Sequence, residues 1–211
     1  MSPIQIVGRS SSHFTRLPRI FAEELGIPYE LVVVYDMTQL GPEAYASNPA
    51  LKQPVLRLNG RVLFGTQNIC RALAEMSKGN LRIVWPEDLK DDLSRNAQEL
   101  VWHCMSAQVQ LVMGTLVGKL PADNVYFNKA RAGMENSLKW LDAHLADALR
   151  ALPAQRDLST FEASLFCLVE HLVFRQTISA EPYSQLTSFA RDFAGRSSAP
   201  KTAYRMDPPP A

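Results

Sequence analysis

The stretch from Asn48 to Ile69 is the part of this chain that most restricts what it can fold into. It reads Asn48-Pro49-Ala50-Leu51-Lys52-Gln53-Pro54-Val55-Leu56, then the pair Asn59-Gly60, then Gly65-Thr66-Gln67-Asn68-Ile69. Asn-Gly between two short apolar runs is a strong signal for a two-residue hairpin turn, because both turn positions take φ > 0. The runs on either side, Val55 to Leu58 and Arg61 to Phe64, are therefore expected to be antiparallel strands. Thr66 follows as a hydroxyl residue opening a helix that runs to about Met76 and is ended by Lys78-Gly79-Asn80.

The residues before this stretch supply the rest of one folding unit. Ile4-Gln5-Ile6-Val7 reads as a strand, and Phe14, Leu17, Phe21 and Leu25 recur at helical spacing. After Gly26-Ile27-Pro28, the β-branched run Tyr29-Glu30-Leu31-Val32-Val33-Val34 is a second strand, and Pro42 to Tyr45 is a short helical stretch. The order is β-α-β-α-β-β-α. A right-handed crossover makes the first two strands parallel, and the last two form an antiparallel edge. This is an α/β, thioredoxin-like layout, assigned to residues 1–79.

The pattern changes at Trp85-Pro86, after which no convincing strand is visible. Periodic stretches run from Asp88 to about Val117 and from about Asn124 to Leu152, the latter with Leu138, Leu141, Leu145, Leu149 and Leu152 on one stripe. Ser159-Thr160-Phe161-Glu162 has the form of a capping box at the start of a third helix, and a fourth is expected from Tyr183 to Ala194. Residues 86–211 are thus expected to form an all-α domain, ending in an extended or loosely packed tail from Ser197 to Ala211.

Charge and cysteine content narrow the function classes. Lys+Arg 22 against Asp+Glu 21, in 211 residues, gives nothing that argues for a nucleic-acid surface, and no nucleic-acid partner is expected. The N-terminus lacks the basic flank and apolar run of a signal peptide, and no segment approaches ~20 uninterrupted apolar residues, so a cytoplasmic protein without a membrane partner is expected. Cys70, Cys104 and Cys167 are widely spaced within apolar helical patterns, which reads as buried, reduced thiols. Neither His103 nor His171 has a second ligand at i+3 or i+4, and no metal is expected.

The ordered set of segments resembles the glutathione S-transferase family, in its bacterial, serine-type members with a theta- or zeta-like active-site loop. Val7-Gly8-Arg9-Ser10-Ser11-Ser12-His13-Phe14-Thr15-Arg16, leading to Arg19-Ile20-Phe21, resembles the family's first strand, active-site loop and first helix. Asn48-Pro49 with Lys52 and Pro54-Val55-Leu56 resembles its proline loop. Gly65-Thr66 with Ile69 and Leu73-Ala74-Glu75 resembles its third helix, and Ser159 with Glu162 the cap of its helical domain.

The resemblance implies glutathione as co-substrate, a homodimer, and conjugation of the glutathione thiolate to a small hydrophobic electrophile. A free thiol of pKa ~8.5 is mostly protonated at neutral pH, so a hydroxyl donor and a helix N-terminus beside the sulfur favour the reactive anion. Ser10, Ser11 and Ser12 all lie in the loop where that donor belongs, and Pro18, best tolerated in a first turn, is expected to keep them outside the helix. Aligned on Arg19-Ile20-Phe21, Ser12 takes the position of the family's catalytic serine. The plain alternative is a Ser12 that only caps the helix.

By the same resemblance the bond before Pro54 is cis, and the backbone of Gln53 pairs with the cysteinyl unit of the peptide. Thr66 and the first amides of its helix receive the γ-glutamyl carboxylate, and Lys52 reaches the glycyl carboxylate. Ser10 and Gly65 complete the candidate glutathione-binding set. His103, Ser106, Val109 and Met113 on the long helix after Pro86 are candidate lining for the electrophile. The chain departs from the family pattern at Gly65, where glutamate or glutamine is usual, at Thr66, where serine is usual, and at Gln53, where an aliphatic residue is usual. A glutathione-dependent isomerase and a non-catalytic, transferase-like binding protein are the two alternative readings.

Overall fold

A computed structural model describes residues 3–208. The chain begins with β1 (Gln5–Gly8), α1 (His13–Glu24) and β2 (Glu30–Val33). After a 3-10 turn at Pro42–Tyr45 come β3 (Val55–Leu58), β4 (Arg61–Phe64) and α2 (Thr66–Met76). The strands form a sheet in the order β2-β1-β3-β4, with β1 parallel to β2 and antiparallel to β3, and β3 antiparallel to β4. Asn59 and Gly60 take φ of 47° and 78°, the conformation that the two-residue turn requires, and Leu58 pairs with Arg61 across it. The expected β-α-β-α-β-β-α order is present, with its second helix reduced to that single 3-10 turn. Ile6, Leu17, Ile20, Phe21, Leu56, Ile69 and Leu73 are buried.

Pro18 lies inside α1 rather than in its first turn, as the helix already begins at His13. The serines nevertheless stay outside, because Ser12 is the N-cap.

Residues 81–193 form a second compact unit. It contains β5 (Ile83–Val84), α3 (Asp92–Leu111), α4 (Val125–Ala151), β6 (Leu158–Ser159), α5 (Thr160–Arg175) and α6 (Ser184–Phe193). A π-helical segment, Val112–Val117, prolongs α3. Asp92–Val117 is long and apolar enough to cross a membrane by length and composition alone, but Ala97, Val101, Cys104, Met105 and Leu111 along it are buried. Contrary to the expectation of no strand beyond Pro86, β6 pairs in parallel with β5 through Ile83↔Leu158 and Val84↔Ser159. A two-residue strand is too short to leave an alternating pattern in the sequence. Ser159 caps α5 by accepting from the Glu162 N–H at 3.3 Å, while the Glu162 carboxylate takes both arms of the Arg156 guanidinium at 2.8 Å.

The end of the chain differs most from expectation. Residues from 194 onward, grouped with the helical half in the sequence reading, are packed with the first unit. They carry a short helix, α7 (Ser198–Lys201), in which Ser198 and Ala199 are buried, as is Thr202 just after it. The segment is therefore not loosely packed up to that point; residues 209–211 of the expected tail lie outside the described residues. The physical reason lies on α1, whose Arg16, Arg19, Glu23 and Glu24 bind the tail by hydrogen bonds and ion pairs.

Candidate active site

β1 ends at Gly8, where an added Cβ would collide with the Thr15 side chain, so the strand reaches the first turn of α1 without intervening atoms. Between them runs a turn closed by the Ser12 N–H donating to the Arg9 carbonyl at 3.2 Å. Ser12 has extended backbone (φ −105°, ψ 124°), and its Oγ accepts from the Thr15 N–H at 3.2 Å. A hydroxyl has one proton and two lone pairs, and capping uses a lone pair. Capping and donation to a sulfur are thus compatible at one atom.

Exposure separates the three serines. Ser10 and Ser11 are 0% and 2% exposed, whereas Ser12 is half-buried. The Ser10 Oγ is buried with no hydrogen-bond partner among the described residues, and its backbone N–H donates to Asp207 Oδ2 at 2.9 Å. Asp207 was not singled out from the sequence. No local signal joins residues so far apart in the chain.

The proline loop is tied by Asn48. Its Nδ2 donates to the Lys52 carbonyl at 2.7 Å and its Oδ1 accepts from the Ala50 N–H at 3.0 Å, which accounts for an asparagine at this spacing. The Gln53–Pro54 peptide bond is cis and leads directly into β3. The Gln53 side chain turns toward Met37, with Nε2 3.5 Å from Sδ, and Lys52 is exposed.

Thr66 is the first residue of α2, and the N-cap is Gly65 at φ 89°, ψ 138°. An added Cβ at Gly65 would come no closer than 3.9 Å to Asn68 Nδ2, so backbone conformation rather than space favours glycine here. The Thr66 hydroxyl donates to the Phe14 carbonyl at 3.1 Å. An anion at this helix start is therefore left with the main-chain N–H groups of the first turn.

Ser10, Ser12, Lys52, Gln53, Pro54, Gly65 and Thr66 all fall in the first unit. His103, Ser106, Val109 and Met113 belong to the second. There His103, Ser106 and Val109 are exposed and Met113 is partly buried, and His103 Nε2 lies 3.2 Å from Glu99 Oε1. Cys70, Cys104 and Cys167 are buried and not disulfide-bonded, and burial pushes the Cys104 thiol up to about 12 despite a hydrogen bond with Ser137 that lowers it. Among the described residues, no three His, Cys, Asp or Glu side chains are grouped to hold a metal ion.

A thioredoxin-like sheet with a serine-capped first helix, followed by a helical unit, defines a two-unit protein of the glutathione transferase fold. A glutathione S-transferase of Methylobacillus flagellatus, crystallised with glutathione bound, matches with a TM-score of 0.74 at 20% identity, over 96% of this chain and 100% of that one. A glutathione transferase family member of Pseudomonas fluorescens with bound glutathione matches with a TM-score of 0.74 at 21% identity, over 96% and 100%. A glutathione S-transferase of Methylobacterium radiotolerans in complex with glutathione sulfonate matches with a TM-score of 0.73 at 18% identity, over 100% and 99%. No curated protein matches the chain. Residues 11–76 match the family described as the glutathione S-transferase N-terminal domain.

Proposed function

We propose that this protein binds glutathione in its first unit and transfers the thiolate to a small apolar electrophile, with Ser12 donating its hydroxyl proton to the sulfur. The observation that carries this reading is the Ser12 Oγ: it caps α1 through a lone pair, which leaves its proton for donation, and it belongs to the most exposed of the three loop serines. The field of α1 and the hydroxyl act in the same direction, since both place positive partial charge beside the sulfur. Gln53, two residues before β3, supplies backbone groups for the cysteinyl unit. The N–H groups opening α2 take the γ-glutamyl carboxylate, and exposed Lys52 takes the glycyl one. Attack on carbon then requires proximity and a dry site rather than further acid or base groups. That glutathione is bound in the similar bacterial structures supports the choice of peptide.

Replacing Ser12 by alanine is expected to raise the pKa of the bound thiol toward ~8.5 and to lower kcat/KM by about a hundredfold, the scale for losing one donor to a developing anion. A thiolate titration and rate equal to those of the native protein would overturn the role of Ser12. A non-catalytic binding protein is the second reading. It is favoured by Gly65, which has no side chain to offer the peptide, and by Thr66, whose proton is engaged by Phe14. Absence of a thermal shift with millimolar glutathione would select it.

Self-association belongs to the same proposal. Val62 and Phe64, on one face of edge strand β4, are 45% and 37% exposed, an apolar face that a second copy would cover. Sedimentation as a monomer at micromolar concentration would remove that part.

A further inference from the structure

The tail after residue 194 runs along α1 in the opposite direction to the helix, and each contact is a specific one. Arg196 Nη2 lies 2.8 Å from Glu24 Oε2 at the C-terminal end of α1. Lys201 Nζ lies 3.0 Å from Glu23 Oε2, and Arg19 Nη2 donates to the Lys201 carbonyl at 3.3 Å. Further toward the helix start, Arg16 Nη2 donates to the Ala199 carbonyl at 3.2 Å, and its guanidinium lies over the Tyr204 ring, 4.3 Å from the centroid. The register ends at Asp207, whose Oδ2 accepts from the Ser10 N–H at 2.9 Å.

Ser10 is the second residue of the turn that Ser12 N–H and Arg9 O close, and the N–H at that position of a turn has no partner within the turn. A buried N–H in that state needs an acceptor. Asp207 supplies one, on a strap already held at four points along α1. We infer that Asp207 is a positioning residue: by fixing Ser10 it fixes the turn that aims the Ser12 hydroxyl. Its own charge opposes a thiolate nearby, so the carboxylate acts through Ser10 and not on the sulfur.

The inference rests on the proposed role of Ser12, and two variants separate its possible failures. Asp207→Ala removes the acceptor, and Asp207→Asn keeps an acceptor oxygen while removing the charge. The Ala variant is expected to lose about tenfold in kcat and to raise the pKa of bound glutathione, the scale of one charge-assisted hydrogen bond. The Asn variant is expected to recover most of both. A chain ending at Met206 should behave as the Ala variant does. A lowered thiol pKa, or increased turnover, in the Ala variant would show that the carboxylate only repels the thiolate, and would overturn the positioning role.

Amide hydrogen exchange at Ser10 reads the same contact without glutathione. Faster exchange in the Ala variant with recovery in the Asn variant supports the inference even if glutathione is not the ligand, and unchanged exchange overturns it.

Discussion

The Thr66 hydroxyl donates to the Phe14 carbonyl because Pro18, four residues beyond Phe14, has no N–H to offer that oxygen. A proline inside a helix normally costs about 3 kcal/mol, part of it from the orphaned carbonyl. Here the Phe14 carbonyl accepts from a side chain at the start of α2, which joins the two helices. The substitution Thr66→Val keeps the shape and removes this donor to a part-buried carbonyl. It is expected to destabilise the protein by about 1–3 kcal/mol in denaturant unfolding, whereas Thr66→Ser should stay close to native. Equal stability of the valine variant would show that the contact contributes nothing. On this view the threonine and the interior proline are one feature, and a hydroxyl is retained at position 66 for the fold whether or not it meets a ligand.

At the scale of elements, the parts legible in the sequence were those whose cause is local. The hairpin at Asn59-Gly60 was readable because its backbone needs φ > 0 at both residues, and the strands on either side were found with their boundaries. Asn124 and Ser159 were readable as helix starts for the same reason, each side-chain oxygen capping its own first turn. Pro18 was read as a first-turn residue but lies further inside α1, where the distant Thr66 donates to the Phe14 carbonyl that a proline N cannot serve. The pairing of β5 with β6, reinforced by the Arg82 guanidinium on the Asp157 carboxylate at 3.2 Å, joins residues far apart and leaves no periodic trace. In the candidate site the same division holds. Ser12, the proline loop and the start of α2 are local motifs, but the acceptor on Ser10 comes from the other end of the chain. Glu162 shows how a correct motif can hide a different partner, since its carboxylate is held by Arg156.

For the molecule as a whole, the attachment of the tail to the first unit makes stability depend on acid in a definite direction. Glu24 receives the Arg196 guanidinium at 2.8 and 2.9 Å and a hydrogen bond from the Ser198 hydroxyl. Burial alone would raise its carboxyl pKa, but the hydrogen bonds from Arg196 and Ser198, together with the Arg196 charge, outweigh burial and hold it below the ordinary value of 4.5. A carboxyl depressed in the folded state stabilises that state fully above the unfolded value, and the contribution is lost as pH falls through the folded value. Native protein and a Glu24→Gln variant should therefore differ most in thermal midpoint at neutral pH, and the difference should shrink below about pH 4.5 as the native carboxyl is protonated. The loss should be accompanied by faster amide exchange from residue 198 to 207, since Arg196 and Ser198 begin the strap that ends at Ser10. A difference in midpoint that stays constant from pH 7 to pH 3 would mean that the ionised Glu24 does not hold the tail, and that the buried residues Ser198, Ala199 and Thr202 dock it without help from charge.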